Sequence, residues 1–184
     1  MSDRTHRPTR RRVLATATAL ALAGCQSGAD GPETVTIGDE ANCDQCGMVI
    51  ADHPGPVGET YYEDNTPTGG EPALFCSTIC TYRHRFQKEQ EGWAPAATFL
   101  TDYSSVDYDV RTDGGATVLT HHLDASAFAG TADLTVVANS DVQGAMGAAI
   151  VPFTDSDDAE GFAEEYGGQT LPATDIRREL VSSG

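Results

Sequence analysis

Four cysteines constrain this chain more than any other feature. They form Cys43-x-x-Cys46 and, thirty residues later, Cys76-x-x-x-Cys80. A two-residue gap lets one turn aim two thiolates at a single ion, and an i, i+4 pair on a helix puts two on one face. Whatever encloses such a set must bring a loop and a helix start together. Ser77 follows Cys76 and reads as the N-cap of a helix running to about Glu91, with Ile79, Tyr82, Arg83 and Phe86 at helical spacing. A capped helix start favours thiolate over thiol at Cys80. Met48 stands two residues beyond Cys46, and thiolate with thioether selects Cu(I) over harder ions.

Three other fates of the four thiols are weighed beside the soft-metal site. Two disulfides would need cross-pairing of Cys43 or Cys46 with Cys76 or Cys80, because i, i+4 is an awkward bridge on a helix. A four-thiolate zinc site would help a small Gly-rich domain to fold. A thioredoxin-like redox pair expects a helix directly after Cys-x-x-Cys, and Gly47 with the Pro- and Gly-rich run Asp52–Gly58 prevents one. His84, one turn beyond Cys80, is a further candidate donor. His53, beside Pro54-Gly55-Pro56, is another. His121 and His122 read as solvent-facing or packing residues on a strand over 116–123, and Trp93 as a packing anchor.

The first 25 residues read as an export signal. Five Arg, three of them in Thr9-Arg-Arg-Arg-Val-Leu14, precede an eleven-residue apolar stretch, Val13–Ala23, too short to span a bilayer. The stretch ends in Leu22-Ala-Gly-Cys25, which resembles a lipobox with Cys25 as the lipidated thiol. The Arg pair resembles a twin-arginine signal. From Cys25 onward there are 27 acidic and 6 basic residues, a net charge of −21. That balance excludes a sequence-independent nucleic-acid binder, which needs a basic face. It fits a surface that stays hydrated in concentrated salt, as in a halophile. No Ser-His-Asp order, P-loop, dinucleotide Gly motif or HExxH is present, so a binding protein is expected and not an enzyme.

The fold class expected is α+β: two tandem ββαβ units with small antiparallel or mixed sheets. Residues 26–40 read as a flexible tether. The first unit, 41–105, has strands Gly58–Glu63 and Pro72–Cys76, the helix after Ser77, and a strand over Ala97–Tyr103. The stretch 106–175 holds a linker and the second unit. There the strands are Leu134–Asn139 and Ala148–Phe153, separated by a turn over 140–147. A helix capped by Ser156 follows, with Ala159, Phe162, Ala163 and Tyr166 on one face. Gly167-Gly168 stops it, and Gln169–Leu171 is the last strand. Asp155–Asp158 complements the positive helix end. Residues 176–184 read as a mobile tail.

Cys43-Asp-Gln-Cys-Gly-Met48, followed by Asp52-His-Pro-Gly-Pro56, resembles the start of the NosL family, the accessory proteins of nitrous oxide reductase. Phe75-Cys-Ser-Thr-Ile-Cys80 is similar to the small metal-binding modules called TRASH or YHS. Gly144-Ala-Met-Gly-Ala148 matches a Met-Gly segment in the NosL second half. Together these cover most of residues 43–171. The resemblance implies a lipid-anchored Cu(I) chaperone on the outer face of the cytoplasmic membrane. Its partner would be nitrous oxide reductase or the maturation complex of that enzyme. Cys46, Met48 and Met146 match the recurrent family positions most closely, and His53 matches an accompanying His. Cys43, Cys76 and Cys80 match the cysteine-rich modules better. Two arrangements follow: one site of Cys46, Met48 and a third donor, or a four-thiol zinc site beside a methionine-containing copper site.

Overall fold

A computed structural model describes residues 31–63 and 70–182, so the export signal and Cys25 lie outside the described residues. In chain order the first half gives β1 (Gly58–Tyr62), β2 (Ala73–Phe75), α1 (Thr78–Gln90) and β3 (Pro95–Thr101). A middle stretch adds β4 (Val110–Asp113), β5 (Ala116–Leu119) and β6 (Phe128–Gly130). The second half gives β7 (Thr135–Ala138), β8 (Val142–Gly144), β9 (Gly147–Ala148), β10 (Val151–Phe153), α2 (Ser156–Tyr166) and β11 (Gln169–Pro172), before a terminal α3 (Arg178–Ser182).

Two ββαβ units are present and they are wound alike. The first sheet has the order β2-β1-β3, extended by β6, and the second has β10-β7-β11. Every pairing in both is antiparallel. Gly58 pairs with Phe75 in the first unit as Thr135 pairs with Phe153 in the second, so Phe75-Cys76-Ser77 and Phe153-Thr154-Asp155 are equivalent turns into equivalent helices.

The units meet across α1. One face of that helix lies on the first sheet, where a Cβ on Gly58 would stand 2.5 Å from Thr81 Oγ1 and 2.8 Å from Leu100 Cδ2. Only glycine allows that approach. On the other side Ile79 and Tyr82 join Val136, Ala138 and Ile150 in a common core. Thr78 Oγ1 donates to Ile150 O at 2.8 Å and Tyr82 Oη to Ala173 O at 2.6 Å, so both hydroxyls buried there are satisfied.

The structure departs from the sequence expectations in several places. Residues 33–37, read as tether, are strapped to the body. Tyr61 Oη donates to Glu33 O, Thr34 Oγ1 to Ala125 O and Ile37 N to Leu123 O, and Ile37 is 2 % exposed. Residues 176–182, read as mobile tail, bury Ile176 and Val181 in the central core, and Arg83 Nε donates to Val181 O. The linker and the 140–147 turn together carry a third, mixed sheet, order β4-β5-β8-β9, with β5 and β8 parallel. The strand expected over 116–123 ends at Leu119. Asp155, not Ser156, caps α2, its side chain accepting from Asp157 N at 2.9 Å. Ser77 caps α1 as expected.

Candidate metal centre

Cys43 and Cys46 sit on one closed turn. Gly47 N donates to Cys43 O and Cys43 N to Met48 O, each at 2.8 Å, and Gly47 takes a positive φ of 78°. That left-handed residue reverses the chain so that both sulfurs face the same way. The turn is clamped to β2 by a reciprocal pair: Asp44 N donates to Leu74 O at 2.9 Å and Leu74 N to Asp44 Oδ2 at 2.7 Å. Asp44 drew no notice in the sequence, yet its place inside Cys-x-x-Cys, where short acceptors bond nearby backbone, was a usable signal. The clamp brings the turn against the β2–α1 corner, which supplies Cys76 and Cys80. Ser77 Oγ accepts from Cys80 N at 3.0 Å and fixes that corner.

All four Sγ atoms lie within 4.8 Å of one another, with Cys46–Cys76 at 3.5 Å and Cys76–Cys80 at 3.8 Å. A tetrahedron of sulfurs about 2.3 Å from a metal has edges of about 3.8 Å, so the set needs little movement to close on one ion. The four are free thiols in an arrangement that could hold a metal ion. Cys43, Cys76 and Cys80 are buried and Cys46 is exposed. Hydrogen bonds from Cys76 and Cys80 hold the Cys43 thiol well below its usual range. The same bonds to Cys43 push Cys76 and Cys80 up. A soft cation entering here displaces those shared protons.

Around the sulfurs lies an apolar wall of Ile37, Ile50, Val57, Tyr62, Ala73 and Phe75. Met48 and Met146, both partly buried, pack against the apolar cluster that includes this wall. Met146 comes from the tip of the β8–β9 hairpin and also touches the central core, so the second unit reaches across to the metal loop of the first. The structure thus brings together Cys43, Cys46, Cys76 and Cys80, with Met48 and Met146 at the border of the apolar cluster around them. It does not add the histidines to them. His84 is turned into the wall, its Nδ1 2.9 Å from Tyr62 Oη and its ring 5.0 Å from that of Phe75, with burial pushing its pKa down. His53 lines a separate cleft. Trp93 packs edge-on to Tyr62 at 5.6 Å, the anchor role expected of it.

The protein is a duplicated α+β body with a sulfur-lined centre that could hold a metal ion. Residues 34–181 match the NosL family, and the chain belongs to it. It is similar to the copper-binding lipoprotein NosL of Stutzerimonas stutzeri, with 27% identity over 172 residues, 92% of this chain and 80% of the relative. It is also similar to the crystal structure of the copper chaperone NosL from Shewanella denitrificans, at 27% identity and a TM-score of 0.63, over 80% of this chain and 98% of that one. Among the described residues no helix is long and apolar enough to cross a membrane.

Proposed function

We propose that this chain is an exported, lipid-anchored chaperone that carries Cu(I) as cargo and passes it to nitrous oxide reductase or the machinery that matures it. The observation carrying this reading is the asymmetry of the sulfur cluster. One exposed thiol, Cys46, stands 3.5 Å from a buried one, Cys76, and Met48 and Met146 pack against the apolar cluster that contains Cys76. Cys46 supplies most of the affinity. Met48 and Met146, uncharged and soft, supply donors that an incoming ligand can replace. Cu(I) tolerates two or three donors, so a receiving thiolate can add before Cys46 leaves, and the ion never passes free through water. Cys43, Cys76 and Cys80 form the inner, water-excluded side of the same centre. The signal at 1–25 and the lipoprotein name of the relative support anchoring through Cys25 on the outer face of the cytoplasmic membrane.

The near-tetrahedral spacing of the four thiols favours a second reading, a zinc-stabilised, membrane-tethered interaction module without copper transfer. Metal analysis of anaerobically purified protein and Cu(I) titration against a chelator separate the two. Copper at one ion per chain, with both sulfur types in its X-ray absorption shell, is the expected result. Cys46→Ser abolishes Cu(I) retention under the chelator. Retention by that variant, or tightly held zinc that Cu(I) does not displace, overturns the chaperone reading.

A further inference from the structure

We infer that the cleft between the Cys43–Met48 turn and the α1–α3 pair is a docking surface, and that it takes carboxylate side chains from an acidic segment of the protein that accepts the copper. Who the partner is rests on the chaperone reading; where it docks rests on charge and geometry. From Cys25 onward the chain has six basic residues. Five of them, Arg83, Arg85, Lys88, Arg177 and Arg178, lie on α1 or at the head of α3, two helices packed together. Three of the five are matched by carboxylates, in the pairs Arg85–Glu89, Lys88–Glu91 and Arg177–Asp175. Arg83 and Arg178 line a cleft of about 360 Å³ with Gln45, Phe86, Val181 and Ser182, and no carboxylate lines it. Apart from the acids of those three pairs and Glu179, the same stretch of chain has 23 acids and one other base, Arg111. An acidic partner is therefore repelled elsewhere and steered to this face.

Arg178 is held in place without being neutralised. Its Nη2 donates to Phe86 O at 2.7 Å, and its guanidinium carbon lies 4.8 Å from the centre of the Phe86 ring. None of the ion pairs among the described residues includes it. Arg83 Nε donates to Val181 O and ties α3 to α1. A carboxylate suits such a fixed, forked cation, because two parallel N–H bonds reach its two oxygens. The cleft also adjoins the metal centre. Gln45 stands between Asp44, whose carboxylate is engaged with Leu74 N, and the exposed thiol Cys46. A segment seated on Gln45 and Arg178 is thus one residue along the turn from the thiol that gives up the ion.

The test is an NMR titration of isotope-labelled, reduced apo protein with an acetylated and amidated hexaglutamate peptide. Salt is set at about 0.15 M, where charges more than about 8 Å apart are largely screened. Shifts centred on Gln45, Phe86 and Val181 are expected, and hexaglutamine should not reproduce them. Arg178→Gln, which keeps a donor for Phe86 O, weakens the peptide about fivefold. Gln45→Glu, which leaves α3 untouched, weakens it too. Arg111→Gln removes the same charge from β4 and leaves binding unchanged. No shift at the cleft in the parent, equal affinity in the parent and both cleft variants, or an equal loss from Arg111→Gln overturns the proposal. So does a dimer that Arg178→Gln dissolves, because the cleft then belongs to a second copy of this chain. Peptide binding is read without copper and Cu(I) retention without peptide, so failure at the cleft and failure at the sulfur centre give different results.

Discussion

The two strand-to-helix corners are built on one backbone plan and closed by different chemistry. In the second unit Phe153-Thr154-Asp155 leads into α2, and the corner is sealed by hydrogen bonds to a buried carboxylate. Asp102 Oδ1 accepts from Thr154 N at 2.8 Å and Ser104 N at 3.0 Å, and Oδ2 accepts from Thr154 Oγ1 at 2.8 Å. In the first unit Phe75-Cys76-Ser77 leads into α1, and the residue equivalent to Thr154 is Cys76, whose partners are thiols. The second corner is complete within the protein. The first ends in four free thiols spaced so that they could hold an ion. The duplication shows how a scaffold is kept rigid in one copy while the other is released for binding.

The largest expected effect tests the rigid corner. Asp102→Ala leaves three donors without their acceptor at a site 4 % exposed, at a cost of about 4 kcal/mol in urea unfolding. A cost near zero would mean that the second corner is not what holds that unit.

The next effect lies on the central strands. The register makes Glu59 of β1 the equivalent of Val136 of β7, and both are fully buried. Val136 faces the core shared with α1, whereas Glu59 faces the strap, both carboxyl oxygens 3.3 Å from Val35 N. Burial raises the Glu59 pKa from 4.5 to about 7, the Val35 N–H opposing it. The sign follows from linkage. Below pH 4.5 the group is neutral folded and unfolded, and its contribution is fully present. As pH rises towards 7 the unfolded chain ionises while the folded one keeps its proton, so stability is lost by about 3 kcal/mol across that window. Glu59→Gln is expected to flatten this slope between pH 4.5 and 7.5, and an unchanged slope would place the carboxylate in water.

Metal should then act on one corner only. At a free ion concentration a hundred times Kd, binding adds about 2.7 kcal/mol to unfolding. Cys76→Ser is expected to remove that gain while leaving the apo protein close to its parent in thermal unfolding. Amide exchange should slow around Cys43–Met48 and the start of α1, and stay unchanged around Thr154. Equal protection of both corners would erase the distinction between them.

How far the sequence could be read divides along similar lines. The ββαβ order was legible because caps, glycine stops and helical spacing are local signals: Ser77, Gly167-Gly168, and Ala159 with Phe162. The sulfur centre was legible because cysteine spacing is itself geometry. What escaped was held by distant partners. Ile37 looks like tether until Leu123 O receives its N–H, 86 residues away. The strands β8 and β9 are 3 and 2 residues long, too short to show a period. Ile176 and the Leu180-Val181 pair are the few apolar residues in a polar stretch, and only their packing into the central core explains them.

The smallest effect separates capping from metal support. Ser77→Ala and Asp155→Ala each remove one N-cap, worth about 1 kcal/mol in the apo protein. The two caps differ in what they hold. Asp155 accepts from Asp157 N, a solvent-exposed helix start. Ser77 accepts from Cys80 N and so orients a thiol of the centre. Removing such a support costs metal affinity as well, typically tenfold or more. Chelator competition on the two variants should therefore show a weaker metal site for Ser77→Ala and an unaltered one for Asp155→Ala, although denaturation alone would score them alike. Equal affinities would mean that the turn at Cys43–Met48, clamped by Asp44, positions the ion without help from the helix cap.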